Sequence, residues 1–121
     1  MNRGRSAWVV GWAVLIEVLL LWPSPPDVSQ RLLGVGFDKV VHTSLFAVQA
    51  GLWAWALTGK SRPIWPAVVG TVAFGAFTEL QQHFLPSRSM ELGDLLADAS
   101  GAVIGAAAFA ALALRRRESE S

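Results

Sequence analysis

Three small groups of polar and ionisable side chains interrupt an otherwise apolar chain. Asp38, Lys39 and His42 open one apolar run. Glu79, Gln82 and His83 close a second. Asp94 and Asp98 open a third, with Arg88 just ahead of them. Residues three or four apart share one face of a helix, so each run presents a polar face at one end. The residue types suit proton transfer and phosphate recognition. His42 is a candidate general acid or base, because an imidazole changes charge near neutral pH. Asp38, one turn earlier, is placed to orient it, and Glu79 is a second acid/base candidate. Lys39 and Arg88 suit a phosphate, Arg through a two-pronged contact. Gln82, Asp94 and Asp98 complete the predicted binding contacts. His42, Glu79, His83 and Asp94 carry nitrogen and oxygen donors for a metal ion. Their spacing is not that of a His-Glu-x-x-His metal site, so neither a metal nor another cofactor is expected. The structural alternative is an internal salt-bridge network, Asp38, Glu79, Asp94 and Asp98 against Lys39 and Arg88, that fixes helix register.

The elements that carry these groups are membrane-grade. Of 121 residues, 53% are hydrophobic and only 16% are charged, against about 25% charged in a soluble domain. Mean hydropathy is +0.43. Net charge is +1, which gives no electrostatic case for nucleic acid. Cys is absent, which removes disulfides and thiol chemistry. A membrane helix needs about 20 mostly apolar residues. Four segments meet that length, at about 6–22, 37–58, 64–85 and 92–114, separated by Pro23, Pro25 and Pro26, by Gly59 and Pro63, and by Pro86. Proline removes an amide donor and ends a helix. The predicted fold is all-α, a polytopic four-helix transmembrane bundle forming a single domain over 1–121. The tail after Arg117 is expected to fray. A cleaved signal peptide is the competing reading of the first run, but its exit, WPSPP, lacks a small-x-small cleavage site.

Charge sets the expected direction. Lys and Arg collect on the cytoplasmic side of short loops. With four spans, Arg3, Arg5, Lys60, Arg62, Arg115, Arg116 and Arg117 share one side; Arg31, Lys39 and Arg88 share the other. Both termini are therefore predicted to be cytoplasmic, in a multi-pass protein of a bacterial plasma membrane. All three polar groups then fall at one depth, toward the outside. Trp22 marks the outer boundary, while Trp8, Trp53, Trp55 and Trp65 lie toward the inner one, as boundary tryptophans do. Glu17 sits about 7 Å below the outer end of the first run, at 1.5 Å per residue. It is expected either to meet Lys39 or Arg88 in the polar cluster or to reach outward to the head groups. Gln49 is expected to make an interhelical hydrogen bond, and Ala97, Gly101 and Gly105 to form a close-packing seam.

The pattern Asp38-Lys39-x-x-His42, then Glu79-x-x-Gln82-x-Phe84, Pro86-x-Arg88 and Asp94-x-x-Ala97-x-x-x-Gly101-x-x-x-Gly105 resembles the VanZ-like membrane proteins. The resemblance covers roughly residues 37 to 105. It departs at one place: the pattern commonly carries Asn where this chain has Asp98. The family takes its name from a protein associated with teicoplanin resistance, so the resemblance points toward a link to cell-envelope antibiotic resistance without transferring resistance itself to this chain. It also implies an outward site that contacts a lipid head group or a lipid-linked wall precursor. Two other functions fit the residues: an intramembrane phosphate-ester hydrolase or transferase acting on a lipid, and a non-catalytic subunit that docks to a membrane-protein partner.

Overall fold

The computed structural model describes residues 3–21, 37–58, 64–85 and 92–120. They form four helices: α1 (Arg3–Leu21), α2 (Phe37–Ala56), α3 (Ile64–His83) and α4 (Leu92–Glu120). The described residues contain no strand, so the fold is all-α. By length and composition, α1 and α4 are apolar enough to cross a membrane, each holding an 18-residue stretch of mean hydropathy 1.6 and 1.8 respectively. α2 and α3 have 20 residues each. They carry Lys39, His42, Thr43 and Gln49, and Thr71, Thr78, Glu79 and Gln82, which lower their hydropathy.

Helix ends follow the punctuation of the sequence. α2 closes in a turn at Leu57 and Thr58, where the Leu57 amide donates to the Trp53 carbonyl at 3.0 Å. α3 begins just after Pro63 and closes in a turn at Phe84, whose amide donates to Gln81 at 3.1 Å. Pro66 is tolerated because the first turn of a helix leaves its amides unpaired anyway. The far end of α4 differs from expectation. The helix does not stop at Arg115 but continues through the three arginines to Glu120. Ser119 donates to the Arg116 carbonyl at 2.9 Å, and basic side chains near a helix C-terminus complement its dipole.

Packing is closest between α2 and α4, through the predicted small-residue seam. A Cβ on Gly101 would lie 3.1 Å from the Ala47 amide nitrogen, and one on Gly105 would lie 2.6 Å from the Ala47 carbonyl carbon. Only glycine admits the α2 backbone at these points. The Thr43 hydroxyl ties the same pair, donating to the Ala97 carbonyl at 3.3 Å. α1 packs on α2 and α3, and among the described residues makes no packing contact with α4. Two apolar clusters fill the bundle. Ile16, Leu20 and Phe46 pack with Trp12, Leu45 and Phe74. Ala50, Ala102 and Ala106 pack with Ile64, Val68 and Val72.

Polar bonds pin α1 at several heights. Arg5 donates to the Trp55 carbonyl at 3.0 Å and lies 4.9 Å above the Trp55 ring centre. Trp12 donates to the Leu45 carbonyl at 2.9 Å. Gln82 donates to the Leu20 carbonyl at 2.9 Å. Gln49 reaches across helices as expected, to the Val9 carbonyl at 3.4 Å. One end of the bundle therefore holds the finish of α1, the start of α2, the finish of α3 and the start of α4.

The distribution of polarity is inverted relative to a soluble protein. His42, Gln49, Thr71, Thr78, Glu79, Gln82, Asp94 and Asp98 are buried. Val10, Val14, Val48, Val69, Phe77, Leu96, Val103 and Ile104 are exposed. Every helix contributes to the exposed apolar surface. A surface of that kind is far larger than the scattered apolar patches of a soluble monomer.

Candidate functional site

The polar residues gather at the shared end of the bundle, and the helix periodicity explains how. His42 and Phe46 lie one turn apart on α2, with ring planes 5° from parallel and centroids 6.5 Å apart. Phe46 in turn packs on Phe74, centroids 5.8 Å apart. These rings close the polar cluster off toward the middle of the bundle. Asp94 and Asp98 lie one turn apart on α4, held against α2 by the glycine seam below them. Glu79 and Gln82 face inward from α3. The backbone of Gly75 forms the remaining wall: a Cβ there would stand 3.0 Å from Asp98 Cβ and 3.1 Å from Asp98 Oδ2.

The central contact joins His42 Nδ1 to Asp98 Oδ1 at 2.7 Å, between groups 2% and 0% exposed. An ionised carboxylate only accepts, so Nδ1–H donates to it. Nε2 points toward Asp94 Oδ2 at 3.9 Å, beyond direct hydrogen-bond reach. Asp94 forms an ion pair with Lys39 through its other oxygen. Lys39 is the most open of these groups, its side chain 36% exposed, and its stem lies over Gly93. Glu79 is fully buried beside the His42–Asp98 pair. Ligand atoms of His42, Glu79 and Asp98 all lie within 4.8 Å of one another.

That trio offers one nitrogen and two oxygen donors, a set that divalent first-row ions accept. It differs from the metal set considered on sequence grounds. His83 is exposed and packs edge-on against Phe84, centroids 5.3 Å apart, outside the cluster. The 2.7 Å hydrogen bond already engages His42 Nδ1.

The structure thus brings His42, Glu79, Asp94 and Asp98 together, with Lys39 at the opening and Gln82 buried on the neighbouring turn of α3. Arg88 lies outside the described residues, as does the side chain of Asp38, although Asp38 itself opens α2. The contact expected between Glu17 and Lys39 is not made. Glu17 instead accepts from the Thr78 hydroxyl at 3.0 Å, while Lys39 is committed to Asp94. Thr78 was not picked out by its sequence context, because a threonine in a helix ordinarily bonds its own preceding turn. The Phe74 carbonyl also lies 3.0 Å from that hydroxyl, so its one hydrogen is shared between the carbonyl and Glu17.

Comparison with protein families matches residues 6–114 to the family described as VanZ/LLP1. Comparison with curated proteins and with solved structures finds no match. The family match spans most of the chain. The chain belongs to the VanZ-like family, membrane proteins of the bacterial cell envelope.

Proposed function

We propose that this VanZ-like protein is a single-domain, four-span bundle of the bacterial plasma membrane whose pocket at the extracytoplasmic end contacts a lipid head group or a lipid-linked envelope precursor. One observation carries the reading: His42, Glu79 and Asp98, from three different helices, are buried together in a chain whose outer surface is apolar. Ionisable groups within a membrane are costly, and by default they mark function. Lys39 supplies positive charge at the pocket opening, and Arg88, in the connection between α3 and α4, would supply more. A phosphate-bearing head group meets both from the outer leaflet. The 3.9 Å gap between His42 Nε2 and Asp94 Oδ2 is one that a water, with two O–H donors, would bridge. The four spans are supported by the 20-residue length of α2 and α3, about 30 Å at helical rise, and by their exposed apolar faces. The direction is supported by the arginine and lysine distribution.

The His42–Asp98 contact favours a second reading within the same pocket, an intramembrane phosphate-ester hydrolase or transferase. Asp98 fixes the imidazole tautomer. His42 Nε2 would take the proton of an attacking hydroxyl and return it to the leaving oxygen, while Lys39 offsets phosphate charge.

Lipid analysis of cells tests both. The proteins compared are wild type, His42→Ala and Glu79→Gln, each quantified in the membrane. The proposal expects both variants to insert at wild-type abundance and to lose the lipid change that the wild type produces. A product formed by purified wild type alone selects the enzyme. Unchanged lipids across all three proteins would instead favour a docking subunit, and reduced abundance of both variants would favour a structural salt-bridge network.

A further inference from the structure

A cavity lies away from the polar cluster. It is a lateral groove between α1, α2 and α3, with a volume of about 460 Å³. Its walls are apolar, among them Val14, Phe74 and Phe77. Two polar side chains interrupt them, Glu17 and Gln49. Gln49 is 2% exposed. Its Nε2 holds the Val9 carbonyl, but its Oε1 has no hydrogen-bond partner among the described residues. Glu17 is half-buried, and its one hydrogen bond among the described residues comes from the Thr78 hydroxyl. No cationic side chain among those residues pairs with it; Lys39 and His42 are engaged with Asp94 and Asp98.

Lipid tails satisfy the apolar walls and leave both polar groups unanswered, because hydrocarbon supplies no donor. The occupant that answers them has an apolar body, a positive charge at Glu17 and a donor nearer Gln49. Val9, which holds Gln49, is eight residues before Glu17, about 12 Å along α1 at helical rise. We propose that this groove binds a long-chain amine. Its ammonium sits on the Glu17 carboxylate, its chain lies along Val14, Phe74 and Phe77, and a hydroxyl or amide N–H further along donates to Gln49 Oε1 once that amide, enclosed in the unliganded bundle, turns toward the groove. The site is separate from the pocket at the bundle end. Phe46 and Phe74 stand between the two, and nothing in it depends on His42.

Thermal unfolding of the purified protein in neutral detergent, followed across ligand concentration, tests this. The probes are dodecylamine, dodecanol and the amino alcohol of the same chain length. Dodecylamine is expected to stabilise the wild type and to outbind dodecanol by about tenfold, the scale of one charge-assisted bond. Glu17→Gln keeps the Thr78 acceptor but loses that advantage. Val14→Trp, made at a 56% exposed position, fills the groove and abolishes binding without touching the core. The amino alcohol is expected to bind tighter than dodecylamine in the wild type and no tighter in Gln49→Leu. His42→Ala is expected to bind as the wild type does, which separates this groove from the pocket. Equal binding of dodecylamine and dodecanol, or unchanged binding in Glu17→Gln and Val14→Trp, would overturn the proposal. An amino alcohol no better than dodecylamine would overturn the part assigned to Gln49.

Discussion

Asp98 occupies a position where the resembling pattern commonly has Asn, and its contact explains how either residue serves. What His42 Nδ1–H needs is an acceptor at 2.7 Å, and an amide oxygen accepts as a carboxylate oxygen does. Asp98→Asn should therefore keep the imidazole in place. Asp98→Ala should leave a buried donor unmatched and lower stability by about 1–3 kcal/mol. Chemical or thermal unfolding of the three proteins in detergent checks this order; equal losses in both variants would mean that an amide oxygen does not replace the carboxylate. The residues of the pocket were legible because ionisable groups in apolar sequence are few and helical spacing puts them on shared faces. Their partners were not. Lys39 had Asp38, Glu79, Asp94 and Asp98 to choose from, and the choice of Asp94 depends on how α2 is rotated against α4. Glu17 likewise met a threonine that sequence spacing did not single out.

At the scale of helices, the glycine seam decides how near α2 comes to α4, and hence whether His42 can reach Asp98. Gly105→Leu should force the two backbones apart. Overpacking of this kind costs about 1–3 kcal/mol in ordinary cores, and here the obstacle is backbone, which yields less than a side chain. Gly11→Ala is the matched control, since a Cβ there meets nothing within 4 Å. Membrane abundance and unfolding temperature should fall for Gly105→Leu and hold for Gly11→Ala; loss in both would remove the seam from the account. The seam itself was readable from the spacing of Ala97, Gly101 and Gly105, because only small residues repeat every fourth position there. The end of α4 was not. Three arginines read as a membrane boundary, and a boundary for lipid is not a boundary for a helix whose backbone bonds continue into water.

The described helices bury their intramembrane polar groups and leave large apolar side chains on the outside, the arrangement that lipid as a solvent demands. The proposed orientation places both termini in the cytoplasm, so a reporter fused after Arg117 should read cytoplasmic, and one inserted at Ser29 should read outside. The reverse pair of readings would turn the pocket toward the cytoplasm and remove the outer leaflet as its source of ligand. The central claim is that the pocket holds a lipid head group, and the lipids that co-purify with the protein test it most directly. Mass spectrometry of wild type and of folded Glu79→Gln, extracted side by side, compares them. A phosphate-bearing lipid enriched with the wild type and reduced to background with Glu79→Gln is the predicted result. Identical lipid profiles from the two proteins would contradict it.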